Sequence, residues 1–148
     1  MTVAVILGSS LYVCHAGDCR AYLIQDGKIQ RLTRDHSLVE RLVEIGQLSL
    51  EEARAHPDRN KVYKALGREA VLEPQRFTHR LQPGMKILLC TDGLWGEVDD
   101  ATLLQISEST PDLQEACDRL VAQANQAGGR DNISVVLIRF PNAGQGSS

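Results

Sequence analysis

Met85-Lys86-Ile87-Leu88-Leu89-Cys90-Thr91-Asp92-Gly93 runs from an apolar strand into a turn that carries a carboxylate. Pro83-Gly84 turns the chain into this run, and its apolar residues predict a central strand over 85–90. An aspartate at the mouth of such a strand is held rigidly beside solvent. The C-terminal third repeats the arrangement in reverse order. There Gly129-Arg130-Asp131-Asn132 precedes the apolar run Ile133-Ser134-Val135-Val136-Leu137-Ile138. A third aspartate, Asp18, sits in the turn Gly17-Asp18-Cys19-Arg20. Converging carboxylates repel one another unless a cation sits between them. Hard oxygen donors suit Mg²⁺ or Mn²⁺. The three aspartates therefore point to a metal site on a β scaffold.

Outward from that strand, alternation and turn signals predict an antiparallel meander. Strands are expected over 3–7 and 11–15, joined at Gly8-Ser9-Ser10. Two more, over 20–25 and 28–32, are joined by the hairpin turn Asp26-Gly27. The pattern then becomes helical. Ser37-Leu38-Val39-Glu40 is a capping box, and Gly46 stops the run it opens. Ser49-Leu50-Glu51-Glu52 opens a second, short helix that ends before Pro57. Residues 56–72 carry few apolar side chains and are expected to form a loop able to move over a site. A strand follows over 74–80. Beyond Asp92, Asp99 or Asp100 is expected to start a helix holding Leu103, Leu104 and Ile106. Thr110-Pro111 is expected to cap and begin the next one. Its stripe is Leu113, Ala116, Cys117, Leu120, Val121 and Ala124, and Gly128-Gly129 ends it. The last strand is expected over 133–140, and the Gly/Ser-rich residues 141–148 are expected to be a disordered tail. Strands dominate both ends without regular strand–helix alternation. The fold class is therefore α+β, an antiparallel sandwich flanked by helices rather than a parallel doubly wound sheet.

A chain of 148 residues suits one domain with a real core. Its 43% hydrophobic and 24% charged content is that of an ordinary globular protein. Sixteen basic and 19 acidic residues give a net charge of −3, which recommends neither nucleic acid nor an anionic membrane as partner. No apolar run approaches the roughly 20 residues needed to cross a bilayer. Residues 1–7 read as a strand, not as a signal peptide. Cys14, Cys19, Cys90 and Cys117 show no C-x-x-C spacing, so zinc is not expected. Three of them lie in or beside apolar runs and read as buried thiols, in a reducing cytosol without disulfides. His15, His36, His56 and His79 have no metal spacing, and each reads as a core or solvated residue. His36 could bond backbone near the helix cap.

Four blocks carry a resemblance. Leu11-Tyr12-Val13-Cys14-His15-Ala16-Gly17-Asp18-Cys19-Arg20-Ala21-Tyr22 resembles a Gly-Asp-Ser-Arg block with Cys19 in place of serine. Leu32-Thr33-Arg34-Asp35-His36-Ser37 resembles the next. Leu89-Cys90-Thr91-Asp92-Gly93-Leu94-Trp95 and Gly128-Gly129-Arg130-Asp131-Asn132-Ile133-Ser134-Val135 resemble the last two. Together, in this order, they resemble the bacterial branch of the metal-dependent serine/threonine protein phosphatases, the PPM or type 2C family. The resemblance implies two antiparallel sheets packed face to face with helix pairs outside. It implies hydrolysis of phosphoserine and phosphothreonine with Mn²⁺ or Mg²⁺, in a signalling context, on phosphoprotein substrates opposed by a serine/threonine kinase. Asp92 and Asp131 correspond to ligands of one metal of a pair. Asp18 corresponds to a ligand of a third metal that Asp92 also touches. Residues 37–72 correspond to a flap that shapes substrate access.

The family's N-terminal ligands for the other metal, its phosphate-binding arginine and its acid histidine have no counterpart here. Where some members carry a further aspartate, this chain has Gly96 beside Glu97. The chain therefore resembles the C-terminal, larger part of a catalytic domain, residues 1–140. Two function classes remain open. One is a metal-dependent phosphatase completed by a further segment or partner. The other is a non-catalytic remnant that keeps the scaffold as a binding module. Taken singly, Asp18 could cap a turn beside Arg20, Asp92-Gly93 could be a plain turn, and Asp131-Asn132 an Asx turn.

Overall fold

Among the described residues, seven strands form two antiparallel sheets. The computed structural model describes residues 1–58, 61–65, 67 and 72–141. Strands β1 (Thr2–Leu7), β2 (Ser10–His15) and β5 (Gln75–Arg80) make a three-stranded sheet in the order β1-β2-β5. Strands β3 (Arg20–Gln25), β4 (Lys28–Arg31), β6 (Lys86–Cys90) and β7 (Val135–Arg139) make a four-stranded sheet in the order β4-β3-β6-β7. Period-two burial decides which side chains face inward. On β2, Leu11, Val13 and His15 are buried while Tyr12 and Cys14 are exposed. Leu11 and Val13 meet Ala21, Leu23 and Ile87 of the second sheet, with Ala4, Ile6 and Phe77 packed around them. This is the inter-sheet core of the expected sandwich.

Strands β3 and β6 are central, and both of their faces are covered. The outer face presents Tyr22, Ile24, Leu88 and Cys90 to helices α3 (Asp92–Trp95), α4 (Asp100–Ser109) and α5 (Leu113–Ala127). Ala116, Leu120 and Ala124, at positions i, i+4 and i+8, turn one stripe of α5 into this second core. Asp112 caps α5 by accepting from the Glu115 amide at 2.8 Å, so the expected Thr110 cap is corrected. Thr110 instead terminates α4 and is buried. Helices α1 (Leu38–Glu44) and α2 (Leu50–Ala55) begin at the predicted caps Ser37 and Ser49. The second cap is a full capping box with Glu52.

The three-stranded sheet is more open to solvent on its outer side. Its outer face leaves Val3, Val5, Leu7 and Tyr12 at least 41% exposed. Register places Val3 opposite Cys14 and Val5 opposite Tyr12 on this face. Strand β1 is thus apolar on both sides and lies at a sheet edge. The four cysteines are free thiols, but only Cys90 is buried. Cys14 lies on the exposed face because alternation along β2 puts it there, which corrects the expectation of three buried thiols. The expected tail falls largely on residues 142–148, outside the described residues, as does part of the expected loop over 56–72. No helix among the described residues is long and apolar enough to cross a membrane.

Leu120 is fully buried between α5 and the sheet. Leu120→Ala is expected to cost about 2–5 kcal/mol of unfolding free energy by urea titration, as a cavity in a packed core does.

Candidate functional site

Two loops at one end of β6 and β7 are bound together. Thr91 ends β6, and its amide donates to the Ser134 carbonyl at 3.1 Å. Its hydroxyl donates to the Asn132 carbonyl at 3.1 Å and accepts from the Ser134 amide at 3.0 Å. The next two residues open α3, where Gly93 is buried. A Cβ at Gly93 would lie 2.5 Å from the Asn132 carbonyl oxygen and 3.3 Å from the Asp131 carbonyl carbon. Only glycine permits so close an approach of the two backbones. Asp92 and Asp131 are thereby fixed on adjoining pieces of chain. Each also accepts from the amide that follows it, at 3.1 Å from Gly93 and 2.7 Å from Asn132. Asp92-Gly93 therefore opens a helix rather than a plain turn, and the Asp131 carboxylate bonds the very next amide rather than the amide two residues on that an Asx turn uses.

Both carboxylates line a cleft of about 550 Å³. Arg20, Arg31 and Asp35 line it too, with Ser37, Val39 and Glu40 from the start of α1. Glu97, Asp99, Asp100 and Arg130 complete its rim, Glu97 and Arg130 lying 3.6 Å apart. Asp18 does not line the cleft. It is half-buried, and its backbone carbonyl accepts from Trp95 Nε1 at 3.0 Å. Burial, and then the negative charge of Asp92, raise the pKa of the Asp18 carboxyl. The N-terminal ammonium pulls the other way without cancelling the rise. Among the described residues, no three His, Cys, Asp or Glu side chains are grouped so as to hold a metal alone. The donors present are all carboxylate oxygens, the type that Mn²⁺ and Mg²⁺ prefer.

Several residues that shape this site stood in the quoted blocks without a role assigned to them. Asp35 is 5% exposed and pairs with Arg20 through a two-pronged contact, Nε to Oδ1 at 3.1 Å and an NH2 nitrogen to Oδ2 at 2.7 Å. Arg31 lies 3.6 Å from the same carboxylate and also pairs with Glu40 of α1. The Arg20 guanidinium carbon is 3.5 Å from the centre of the Trp95 ring. Asp35 stands in a block that the sequence singled out, but its partner is 15 residues away. Thr91 looked like part of a turn and is in fact the clasp between loops.

His15 is fully buried behind the Asp18 turn. Its Nε2 donates to the Arg34 carbonyl at 2.9 Å, so Nδ1 is the unprotonated nitrogen, 2.8 Å from the Thr2 hydroxyl. His36 Nδ1 accepts from the Gly17 amide at 3.2 Å, so the backbone it bonds is that of the Asp18 turn and not that of the adjacent helix cap. His56 Nδ1 likewise accepts from the Asp58 amide. Burial, with His36 close by, lowers the His15 pKa to about 4, against the opposing pull of the Arg34 carbonyl.

Comparisons with known proteins agree with this architecture. The sequence model for "Protein phosphatase 2C" matches residues 1–46, and that for "Stage II sporulation protein E (SpoIIE)" matches residues 50–141. The serine/threonine phosphatase stp of Listeria innocua is 38% identical over 138 residues, covering 93% of this chain and 55% of its own length. The crystal structure of the Mycobacterium tuberculosis serine/threonine phosphatase PstP/Ppp superposes with a TM-score of 0.90 at 35% identity, covering 95% of this chain and 59% of that one. The catalytic domain of PstP in complex with 2 manganese ions superposes with a TM-score of 0.81 at 33% identity, covering 92% and 56% of the two chains. This chain thus spans about half the length of the curated relatives it matches.

A buried histidine that must charge on unfolding makes stability depend on pH. The unfolded chain takes up a proton near the ordinary value of 6.5, whereas folded His15 resists protonation until about 4. Its contribution is complete above pH 6.5 and is lost as pH falls toward 4. We expect His15→Gln to flatten the acid decline of the urea midpoint within that window, with no such effect between pH 7 and 8.

Proposed function

From the premise that this chain belongs to the metal-dependent serine/threonine phosphatases of the PPM, or protein phosphatase 2C, family, we propose that residues 1–140 are the larger part of one catalytic domain hydrolysing phosphoserine and phosphothreonine in proteins. The observation that carries this reading is the clasp that fixes Asp92 and Asp131 side by side on one cleft. In it Asp92 and Asp131 hold one metal of a pair, and Asp18 and Asp92 hold a further one. Manganese or magnesium bound there supplies positive charge against the phosphoryl oxygens and activates water at neutral pH. The chain's own part is to hold the carboxylates on rigid strand ends and to shape the cleft for the phosphorylated side chain. Arg20 is engaged by Asp35 and Trp95. It belongs to the frame of the site rather than serving as a free anion-binding arm.

The substrate in this reading is a phosphoprotein, and the partner enzyme is a kinase that makes phosphoserine or phosphothreonine. The remaining metal ligands come from a further segment. Two observations support that segment: the matched relatives are nearly twice as long, and the outer face of β1 and β2 is apolar and bare. A second reading, a non-catalytic binding module, is favoured by the lack of a three-ligand group among the described residues.

Adding in trans the part of the Listeria relative that lies outside the match separates the two. Mn²⁺-dependent hydrolysis of p-nitrophenyl phosphate is expected to appear on mixing. It is expected to fall at least about a hundredfold in Asp92→Ala, a larger loss than the about 10–100-fold typical of outer-shell changes. A folded, Mn²⁺-binding mixture without activity would favour the binding module.

A further inference from the structure

The chain contains one tryptophan, and it is spent in an unusual place. Trp95 lies one helical turn after Asp92 in α3. One edge packs on the core beneath the sheet. Two further contacts use features that a mere filler does not need. The indole N–H donates to the Asp18 carbonyl at 3.0 Å, across 77 residues of sequence. The ring lies against the Arg20 guanidinium at 3.5 Å. Arg20 is itself immobile: its other side is forked onto buried Asp35, and an NH1 nitrogen donates to the Tyr22 hydroxyl at 3.2 Å. Asp18 and Arg20 flank Cys19 at the mouth of β3. Trp95 therefore grips the Asp18 turn at two points and ties both to the helical turn that carries Asp92.

We propose that Trp95 is a positioning residue, bolting the Asp18 turn to α3 so that the Asp18 and Asp92 carboxylates stay close enough to share a divalent cation. The inference rests on the metal reading above. Two like charges would drift apart if either loop were free. The bolt opposes this with a neutral hydrogen bond and a ring–cation contact, neither of which adds negative charge to the site. It is an outer contact that orients a ligand, the kind whose loss typically costs about 10–100-fold in metal affinity.

The test is Mn²⁺ binding to this chain, read as loss of the free-ion signal in electron paramagnetic resonance. Trp95→Phe keeps an aromatic side chain, smaller than the indole, and removes the N–H, and is expected to weaken Mn²⁺ about tenfold. Arg20→Lys loosens the same bolt from its other side and is expected to do likewise, should the first variant fail to fold. Leu113→Ala, trimmed from the same core, is expected to lose stability and keep wild-type affinity. In the wild-type chain, Mg²⁺ is expected to shift the lone indole N–H resonance. Wild-type affinity in both bolt variants would overturn the proposal and leave the metal reading standing. An equal loss in Leu113→Ala would reduce it to a stability effect and overturn it. A wild-type chain that binds no Mn²⁺ would overturn the metal reading and this proposal together.

Discussion

Everything at the cleft depends on the approach of the Asn132 carbonyl to Gly93. Strands β6 and β7 are neighbours in register, with Cys90 opposite Val135. Ladder pairing brings the chain only to the ends of those strands. Past that point Thr91 continues the pairing through its amide and hydroxyl, and the missing side chain at Gly93 lets the second loop settle against α3. A larger residue would force the loops apart by displacing backbone, which has nowhere cheap to go. The separation of Asp92 and Asp131 is therefore a property of the sheet rather than of flexible loops. This is why carboxylates can be presented without a side-chain scaffold of their own.

The electrostatic frame follows from that constraint. The charge of Asp92 disfavours that of Asp18, and Glu97, Asp99 and Asp100 add negative rim. The arginines nearest the cleft are largely committed elsewhere. Arg20 is forked onto Asp35, Arg31 bridges Asp35 and Glu40, and Arg130 sits by Glu97. A buried ion pair such as Arg20–Asp35 adds little net stability, because desolvation offsets much of the attraction. Its consequence here is geometric. It fixes the segment leading into α1 relative to β3, and it directs the Arg20 charge to Asp35 rather than to the aspartates of the site. A divalent cation is the natural complement to that imbalance.

Much of the architecture was legible because local signals agreed with the tertiary outcome. Alternation and turn residues placed all seven strands, and the capping serines placed α1 and α2. The errors have local causes. Helix α3 has four residues, too few for a period to show. Thr110-Pro111 looked like a helix start, yet Asp112 caps α5 while Thr110 closes α4. The last strand begins at Val135 rather than 133, because residues before it are used in the Thr91 clasp. Cys14 was expected inside, but the phase of β2 turns it outward. The turn contexts of the three aspartates pointed to one metal site, and the assignment of Asp92 and Asp131 to the same metal came from the family resemblance. The contacts of Arg20 with Asp35 and Trp95, and of Trp95 with Asp18, join distant segments and leave no periodic trace in the sequence.

The central claim is that the sheet itself positions Asp92 and Asp131 to share one metal ion. Anomalous diffraction at the manganese edge, from crystals of this chain soaked in Mn²⁺, addresses it without reference to activity. The account predicts a peak between these two carboxylates, and its disappearance in crystals of Asp131→Ala. A chain that diffracts well and shows no peak there, or shows one elsewhere in the fold, would contradict it.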